Sequence, residues 1–314
     1  MKRVAFIFPG QGSQEVGMGK GMYENYESAR RSFEQADELL DTTLTTLMFE
    51  GPVEELTNTE NAQPALLLTS AVINQALNDE GIYPVVTAGH SLGEYSALVA
   101  SGAISLEEAL PLVQTRGRLM EKAYPKGQGA MAAVLGLSRD EIEKVIHSVN
   151  LLDEVVDIAN LNCPGQIVIS GTKNGIETIS ESLKEAGAKR VILLNVSGPF
   201  HSRLMKAAAE QFAEALEQVN LVDANIPVYA NVTANQVKSY DEIKDLLIQQ
   251  LYSPVRFEET IEHLLQDELD AIVEVGNGKV LTGLVKKVNR RTKTFTIQDP
   301  ESLQLFIDWY KEES

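Results

Sequence analysis

"YPVVTAGHSLGEYSALVASG", residues 83–102, is the stretch that decides the fold. An apolar run leads into the pattern Gly-x-Ser-x-Gly at Gly89, Ser91 and Gly93, and small and apolar residues follow it. A strand, a tight glycine turn and a buried helix in this order place a nucleophilic serine at the end of a β-strand. The stretch therefore predicts an α/β fold with Ser91 as the candidate nucleophile.

The flanking segments predict a large α/β unit that is interrupted by a smaller one. "VAFIF" at 4–8 is a continuous apolar run, typical of a strand that is buried on both faces of a parallel sheet. Between about 127 and 197 the pattern changes to βαββαβ, the order of a small ferredoxin-like domain. We predict a large α/β-hydrolase-like domain with a central parallel sheet, formed by residues 1–126 and 198–314, and an inserted ferredoxin-like domain at 127–197.

Amphipathic patterns predict helices in several parts of the large unit. Two of them cover 22–50 and 64–80, and the second has Pro64 in its first turn, where proline is tolerated. Further on, the pattern predicts a helix at 203–219, a strand at 226–232, a helix at 240–252, another near 255–268 and a strand at 270–276. The large unit therefore alternates helices and strands along the chain.

Composition and charge narrow the class of protein. The net charge of −18 argues against nucleic acid as a general partner, and the single Cys163 excludes an internal disulfide or a cysteine metal cluster. The first residues have too few apolar side chains for a signal peptide, and no apolar run approaches the roughly 18 residues that span a membrane. We expect a soluble, cytoplasmic, monomeric protein with no bound metal and no membrane contact.

Only one of the four histidines is placed as a base for the serine. His201 lies in "NVSGPFHS", an irregular loop that leaves the last strand of the inserted unit, and such loops often carry catalytic groups. His147 fits a solvated helix face and His263 a surface or boundary position. His90 adjoins Ser91, but in a sharp turn its side chain diverges from that of the serine. We predict that His201 is the base.

A triad acid is missing from its usual place. In α/β hydrolases the acid normally lies between the serine and the histidine in chain order. The aspartates of that interval are Asp140, Asp153 and Asp157, all within the predicted small unit. A backbone or amide oxygen is therefore the expected partner that orients His201.

Two backbone N–H groups are candidates for an oxyanion hole. Leu92 directly follows the nucleophile, and its N–H lies at the start of the next helix. The loop "PGQGSQ" follows the first strand and places Gln11 to supply the second N–H. The glycine-rich stretch 9–22 lacks the spacing of a phosphate-binding loop, so nucleotide binding is not expected.

Arg116 is predicted to point inward. Ser105 and Glu108 form a capping box at the start of a helix, and Arg116 falls on the apolar face of that helix while Arg118 falls on the solvent face. A buried guanidinium keeps its charge and needs a partner of matching geometry. That partner is either a carboxylate of the protein or a carboxylate of the substrate, and the pattern leaves both open.

Motifs along the whole chain resemble the malonyl-CoA:acyl carrier protein transacylases of type II fatty-acid synthesis. More distantly, the chain is similar to the acyltransferase domains of polyketide and animal fatty-acid synthases. The matching segments are "FPGQGSQ", "AQPALLLTS", "GHSLGEYSALVASG", "RGRLM", "CPGQIVISG", "VSGPFHS", "YSPVRF" and "EVGNGKVLTGL". One departure is Asn277, where the bacterial family usually has proline; because asparagine tolerates a left-handed turn, we expect the loop to persist.

The resemblance implies a role for each candidate residue. Ser91 would carry the malonyl group, His201 would act as its base, and Arg116 would bind the malonyl carboxylate. The N–H groups of Gln11 and Leu92 would form the oxyanion hole, the main-chain carbonyl of Gln250 would hold His201, and Phe200 would crowd the acyl pocket against branched groups. Malonyl-CoA is the implied substrate, CoA the product and phosphopantetheinylated acyl carrier protein the acceptor, with no permanently bound cofactor and a ping-pong mechanism.

A basic stretch is a candidate docking patch for the acidic carrier protein. Between 279 and 293 the chain carries no acidic residue and six basic ones: Lys279, Lys286, Lys287, Arg290, Arg291 and Lys293. In a chain of net charge −18, segregated positive charge would favour encounter with an acidic partner. A solvated helix face is the alternative explanation.

Two other functions remain open at the level of sequence. A thioesterase or esterase would use the same serine with a triad acid and would have no use for Arg116. A noncatalytic scaffold that binds carrier proteins could also retain the fold, although the presence of Ser91, His201 and Arg116 together argues against it.

Overall fold

The computed structural model describes residues 2–125, 127–150 and 154–312, with the backbone alone described at 149 and 150. In chain order the strands are β1 Val4–Phe8, β2 Val86–Gly89, β3 Gly129–Leu135, β4 Val156–Cys163, β5 Gln166–Thr172, β6 Arg190–Leu193, β7 Val228–Tyr229, β8 Gln236–Val237, β9 Val255–Arg256, β10 Ala271–Val275 and β11 Thr294–Ile297. The helices are α1 Lys20–Asn25, α2 Glu27–Leu40, α3 Leu44–Glu50, α4 Val53–Thr57, α5 Thr59–Asp79, α6 Gly93–Ala100, α7 Leu106–Lys122, α8 Arg139–Asn150, α9 Lys173–Glu185, α10 Lys206–Leu216, α11 Tyr240–Gln250, α12 Phe257–Leu264, α13 Val280–Val288 and α14 Pro300–Lys311.

The larger sheet has six strands in the order β11-β10-β1-β2-β7-β8. The first five are parallel, and β8 pairs antiparallel with β7 at the edge. Alternate residues of β1 enter different cores: Phe6 and Phe8 pack with α2, α5 and α7 on one side, whereas Ala5 and Ile7 pack with α12 and α13 on the other. Burial on both faces explains why β1 is apolar throughout.

The smaller sheet has five strands in the order β6-β3-β5-β4-β9. Strands β3 to β6 pair antiparallel and, with α8 and α9, give the βαββαβ order that the sequence predicts. The fifth strand, β9, comes from the chain beyond residue 197 and pairs parallel with β4. The predicted fold class, a parallel α/β unit with a ferredoxin-like insert, is confirmed; the addition of β9 to the small sheet is not predicted.

Several predicted element boundaries are wrong. The amphipathic pattern at 22–50 corresponds to three helices, α1 to α3. Helix α5 begins at Thr59, so Pro64 lies inside the helix and not in its first turn. Pro64 lacks the N–H that would bond to the carbonyl four residues earlier, and its burial in the packed helix offsets that loss. Strand β11 and helix α14 are not predicted, and β7 has two residues instead of seven.

Close backbone approaches at glycines position the turn between β2 and α6. A Cβ on Gly93 would lie 2.0 Å from the carbonyl oxygen of Phe8, and one on Gly89 would lie 2.0 Å from the backbone of Gly93. On the neighbouring loop, a Cβ on Gly10 would lie 2.3 Å from the carbonyl oxygen of His90. These contacts bring the ends of β1 and β2 together around Ser91. Among the described helices, none is both long and apolar enough to cross a membrane.

Substitution of Gly93 by alanine tests this packing. The added methyl group would collide with backbone atoms that cannot rotate away, so we expect Gly93→Ala to destabilise the fold by roughly 1–3 kcal/mol or more. Thermal or urea unfolding measures the change. Gly283→Ala is the matched control: this helical glycine has open space around its Cβ position, and we expect alanine there to stabilise by about 0.5–1 kcal/mol. Equal losses of stability in Gly93→Ala and Gly283→Ala would contradict the conclusion that the backbone contact at Gly93 positions the turn.

Candidate active site

Ser91 lies at the carboxyl end of β2 in a strained backbone conformation. Its φ angle is 51°, in the left-handed region that non-glycine residues rarely adopt. The side-chain oxygen of Asn231 accepts the N–H of Ser91 at 2.8 Å. The sharp turn that the sequence predicts is therefore present, and it holds the Ser91 hydroxyl at the entrance of helix α6.

His201 contacts Ser91 directly. Its Nε2 lies 2.8 Å from Ser91 Oγ, and its Nδ1 lies 2.7 Å from the main-chain oxygen of Gln250. A carbonyl oxygen only accepts, so Nδ1 carries the proton and Nε2 is free to accept from the serine hydroxyl. The geometry can therefore remove a proton from Ser91 without a triad carboxylate.

The environment of His201 favours its neutral form. The side chain is buried, and burial, followed by the nearby positive charge of Arg116, lowers the pKa of His201 to about 3. The bond to Gln250 opposes this shift but does not cancel it. A neutral imidazole is the form that a general base requires.

Arg116 is buried beside the serine. Its side chain is 1% exposed and donates to the side-chain oxygens of Gln63 and Gln250, both at 2.8 Å, and to Ser91 Oγ at 3.2 Å. The guanidinium also lies over the ring of Tyr95, 5.3 Å from its centroid. Within the described part of the chain, no carboxylate lies within 4 Å of Arg116, and its Nε has no hydrogen-bond partner. The sequence left two partners open for Arg116, a carboxylate of the protein or one of the substrate. Among the described residues, a direct ion pair with a protein carboxylate is not formed.

The residues that carry the two predicted oxyanion N–H groups line the same cavity. Gln11 and Leu92 both line a pocket of about 280 Å³ that also contains Ser91, His201 and Arg116. Over the described residues, neither backbone N–H has a protein acceptor. Phe200, predicted for the acyl pocket, lines the same cavity. The full lining is Gln11, Gly12, Gln14, Thr57, Gln63, His90, Ser91, Leu92, Arg116, Met120, Met131, Asn160, Leu194, Asn195, Val196, Phe200 and His201.

The remaining histidines behave as the sequence predicts. The ring of His90 turns away from the serine and bonds to the side-chain oxygen of Asn162 at 2.8 Å. His147 is exposed on α8, and His263 is half-buried with its Nδ1 2.6 Å from the carbonyl oxygen of Ala234. None of the three contacts Ser91 Oγ.

Of the aspartates considered for a triad, the two that the structure describes do not hydrogen-bond to His201. Asp157 forms an ion pair with Arg203, and Asp140 is exposed in the first turn of α8. Asp153 lies outside the described residues.

The loop at Asn277 persists, but not for the predicted reason. Positive φ angles occur at Gly276 and Gly278, whereas Asn277 does not adopt one. Its side-chain nitrogen instead donates to the carbonyl oxygen of Ser13 at 2.6 Å. This bond holds the loop after β10 against the loop after β1.

The basic stretch is not gathered around the serine pocket. Lys279 lies at the start of α13, beside the carboxyl ends of the strands, but the helix runs back along the sheet. Arg290 and Arg291 follow α13 and precede β11. They therefore lie near the amino ends of the parallel strands, whereas Ser91 lies near the carboxyl ends. Lys286 donates to the carbonyl oxygen of Thr292 at 2.6 Å, and Lys287 to the side chain of Gln166 at 2.8 Å.

Three polar residues of the site, Gln63, Asn231 and Glu94, and the side-chain contact of Gln250 are not singled out by sequence reasoning. Gln63 and the side chain of Gln250 accept from Arg116, and Asn231 and Glu94 lie under the turn that carries Ser91. Glu94 gives the clearest sequence signal, because it is a charged residue within an otherwise small and apolar helix. Burial raises its pKa to about 7. Within the described residues, no group of histidine, cysteine and acidic side chains could hold a metal ion.

The fold and this geometry define an α/β protein with a serine–histidine pair in a strand-to-helix turn. Acyl transfer through a serine is the chemistry that such a site supports. Residues 5–303 match the model of the acyl transferase domain. The chain therefore belongs to the acyl transferase family.

Individual relatives are similar over nearly the whole chain. The malonyl CoA-acyl carrier protein transacylase of Bacillus subtilis (strain 168) is 54% identical and covers 100% of this chain and 99% of its own length. The crystal structure of an acyl carrier protein S-malonyltransferase from Vibrio cholerae has a TM-score of 0.94 at 43% identity, with 97% and 99% of the two chains covered. In the solved complex of a type II PKS acyl-carrier protein with its malonyl-transacylase, the matching chain has a TM-score of 0.95 at 39% identity. The match covers 98% of this chain and 99% of that chain.

The lowered pKa of His201 predicts an unusual pH profile. A histidine of ordinary pKa, near 6.5, would lose base function below that pH, about tenfold per unit. Because the folded protein holds the pKa of His201 near 3, the base stays neutral on acidification. Glu94, whose pKa of about 7 lies in this range, titrates there. We therefore expect kcat/KM for an acyl thioester to change by less than about fivefold between pH 7.5 and 5.5, and by less than about twofold in Glu94→Gln, which does not titrate. Circular dichroism at each pH serves as the control for unfolding, and an acid limb centred near 6.5 that persists in Glu94→Gln would contradict the prediction.

Proposed function

We propose that this protein transfers a malonyl group from malonyl-CoA to the phosphopantetheine thiol of an acyl carrier protein, supplying the malonyl carrier for fatty-acid chain elongation. A relative that is 54% identical over the full chain, and solved structures with TM-scores of 0.94 and 0.95, bear the names of malonyl transacylases. One observation of this chain carries the proposal. Arg116 is buried next to the nucleophile and forms no ion pair within 4 Å with a carboxylate of the described residues, and Glu94 acts on it only at longer range, across Gln250.

A buried guanidinium without a carboxylate partner is costly, because its charge is removed from water. Neutral amide oxygens of Gln63 and Gln250 accept two of its N–H groups but do not neutralise it. A substrate carboxylate in the pocket would supply the missing charge through a two-pronged contact. A malonyl thioester places a carboxylate two bonds from its reactive carbonyl carbon, so the same arginine can orient it toward Ser91.

The first half-reaction is attack on the thioester. Ser91 Oγ adds to the carbonyl carbon of malonyl-CoA while His201 Nε2 takes the hydroxyl proton. The N–H groups of Gln11 and Leu92 stabilise the oxyanion, a contribution on the order of 10²–10³ in rate per donor. Collapse breaks the carbon–sulfur bond, His201 returns the proton to the sulfur, and CoA leaves as a thiol while malonyl stays on Ser91.

The second half-reaction reverses these steps with a different thiol. The phosphopantetheine thiol of the carrier enters the site and gives its proton to His201, and its sulfur attacks the ester carbon of malonyl-Ser91. The serine leaves with the proton from His201, and malonyl-carrier is released. This ping-pong cycle uses the one base twice and needs no permanently bound cofactor.

The pocket dimensions suit a small acyl group. Phe200 is 5% exposed and lines the same cavity of about 280 Å³ as the serine. Arg116 lines this cavity as well, so we place the unbranched malonyl group between the two side chains, where an added branch would be directed at the aromatic ring. We propose that Phe200 restricts the site to malonyl over branched groups.

The cellular setting and the unit boundaries are further parts of the proposal. We place the protein in the cytoplasm as a monomer, where it meets malonyl-CoA and a phosphopantetheinylated carrier. The catalytic unit comprises residues 1–126 and 198–314, and the small unit comprises 127–197.

A thioesterase is the main alternative, and the observed contacts favour transfer. A hydrolase triad would place a carboxylate on His201 Nδ1, whereas here that nitrogen faces the Gln250 carbonyl. The buried Arg116 would also have no role in hydrolysing neutral acyl groups.

The experiment that tests the proposal is a single-turnover assay without a thiol acceptor. Mixed with malonyl-CoA, the wild-type protein is expected to release one equivalent of CoA in a burst and then turn over slowly. In Arg116→Ala the burst rate with malonyl-CoA should fall by about 100-fold or more, because the substitution removes a charged contact to the substrate. The burst rate with acetyl-CoA should fall much less.

Ser91→Ala is the control for the site of attachment, and mass spectrometry of the wild type should place malonyl on Ser91. Sustained release of CoA without an acceptor would identify a hydrolase. A noncatalytic scaffold would give no burst with malonyl-, methylmalonyl- or acetyl-CoA.

The basic residues Lys279, Lys286, Lys287, Arg290 and Arg291 stay our proposal for the carrier docking patch. Lys279 and Lys287 are exposed at the two ends of α13, whereas Lys286 is occupied by a backbone carbonyl. Reversal of Lys279 and Lys287 to glutamate should raise KM for the carrier roughly tenfold while the malonyl-CoA burst is unchanged. Reversal of Arg30 and Arg31 on α2 gives the same change in net charge at a distant surface. Equal effects of the two double variants would contradict the docking proposal.

A further inference from the structure

Asn231 spans the turn that carries the nucleophile. Its side-chain oxygen accepts the N–H of Ser91 at 2.8 Å, and its side-chain nitrogen donates to the carbonyl oxygen of Gly89 at 2.6 Å. The two hydrogen bonds of this one carboxamide thus join both ends of the turn formed by Gly89, His90 and Ser91. Asn231 is 1% exposed and follows β7, the strand next to β2.

These two bonds require both a donor and an acceptor on one short side chain. Asparagine provides them, whereas aspartate lacks the donor and leucine lacks both. The turn needs such a restraint because Ser91 has a φ of 51°, a conformation that persists only where its surroundings enforce it. Asn231 does not line the serine pocket, so it acts on the substrate only through Ser91.

Glu94 joins Asn231 to the residue that holds the base. Its Oε2 accepts the backbone N–H of Asn231 at 3.1 Å and the side-chain nitrogen of Gln250 at 2.7 Å. Glu94 is 3% exposed and also does not line the pocket. A single buried carboxylate oxygen therefore connects the serine turn with Gln250.

Gln250 extends this connection to the other two members of the site. Its main-chain oxygen accepts from His201 Nδ1, and its side-chain oxygen accepts from Arg116. Its side-chain nitrogen lies 3.0 Å from the carbonyl oxygen of Ser91 as well. Hydrogen bonds thus link Ser91, His201 and Arg116 beneath the pocket, outside the space that a substrate occupies.

We propose that Asn231 and Glu94 are positioning residues for acyl transfer: Asn231 fixes the strained turn at Ser91, and Glu94 fixes Gln250 so that His201 and Arg116 keep their places relative to that serine. This inference rests on the proposed function for its choice of substrate. Displacement of reacting groups by about 1 Å can lower a rate by about 100-fold, so loss of either residue should slow acylation without weakening substrate binding in proportion.

The test for Asn231 is the rate constant of the CoA burst as a function of malonyl-CoA concentration. Asn231→Leu is expected to lower the maximal burst rate by about 100-fold and to change the half-saturating concentration by less than about threefold. Asn74→Leu is the matched control, since Asn74 is 6% exposed on α5 and has no contact with the site. Because the side-chain oxygen of Asn74 has no hydrogen-bond partner among the described residues, leucine there should change the unfolding temperature little and leave the burst unchanged. Should Asn231→Leu fail to fold, Asn231→Asp keeps the acceptor, loses the donor to Gly89, and should slow the burst about fivefold.

The test for Glu94 compares an isosteric change with an apolar one. Glu94→Gln keeps an oxygen that can accept both N–H groups, and it should retain the burst rate within about fivefold. Glu94→Leu removes that oxygen and should lower the burst rate by about 100-fold. Glu274→Leu is the control: Glu274 is fully buried and accepts the N–H groups of Leu281 and Thr282, and none of the three lines the pocket. It should reduce stability without slowing the burst of the folded protein.

The inference would be overturned if folded Asn231→Leu and Glu94→Leu had the burst rate of the wild type. It would also be overturned if the controls Asn74→Leu and Glu274→Leu slowed the burst equally. A third contradicting result is a rise in the half-saturating malonyl-CoA concentration that accounts for the whole loss of rate. Failure of the proposed function is a separate result: the wild type itself would then give no burst with malonyl-CoA. In that case p-nitrophenyl acetate replaces malonyl-CoA as the acylating reagent for Ser91, and the same order of rates among the variants is expected.

Discussion

The approach of two backbones at Gly93 and Phe8 is the constraint on which the site rests. A side chain at Gly93 would occupy the position of the Phe8 carbonyl, so only glycine allows β1 and the start of α6 to meet. That contact places the loop after β1, with the free N–H of Gln11, beside the turn with the free N–H of Leu92. Two donors from separate parts of the chain thus face one cavity without any side chain being committed to them.

The charge of Arg116 organises the second half of the site. The guanidinium is surrounded by amide oxygens, with Glu94 acting on it at longer range, and it also lowers the pKa of His201. In the function that we propose, the same side chain favours binding of a negative substrate and keeps the imidazole neutral. A bound carboxylate would reduce the positive field at His201 at the moment when the imidazole accepts a proton from Ser91.

The sequence allowed prediction of those features that local chemistry determines. The alternation of apolar runs and glycine turns identified the two sheets, and the helical face of Arg116 predicted its burial. The features that were predicted wrongly or not at all depend on contacts between distant segments. Pro64 looked like a helix start because proline favours that position, but Thr59 to Asn61 continue the helix toward its amino end. Strand β9 has two residues and is defined only by its pairing with β4. The roles of Asn231 and Glu94 likewise arise from bonds across more than 130 residues of chain.

The pairing of β9 with β4 affects how the base and its support are held. His201 follows β6 at one edge of the small sheet, and Gln250, whose carbonyl orients it, lies five residues before β9 at the other edge. Gln250 is also bound to Ser91 and Glu94. A shift of the small sheet against the serine would therefore pull on the bond that sets the tautomer of His201 as well as on the distance from His201 to Ser91. The proton position on the imidazole and its reach to the hydroxyl are in this way mechanically coupled.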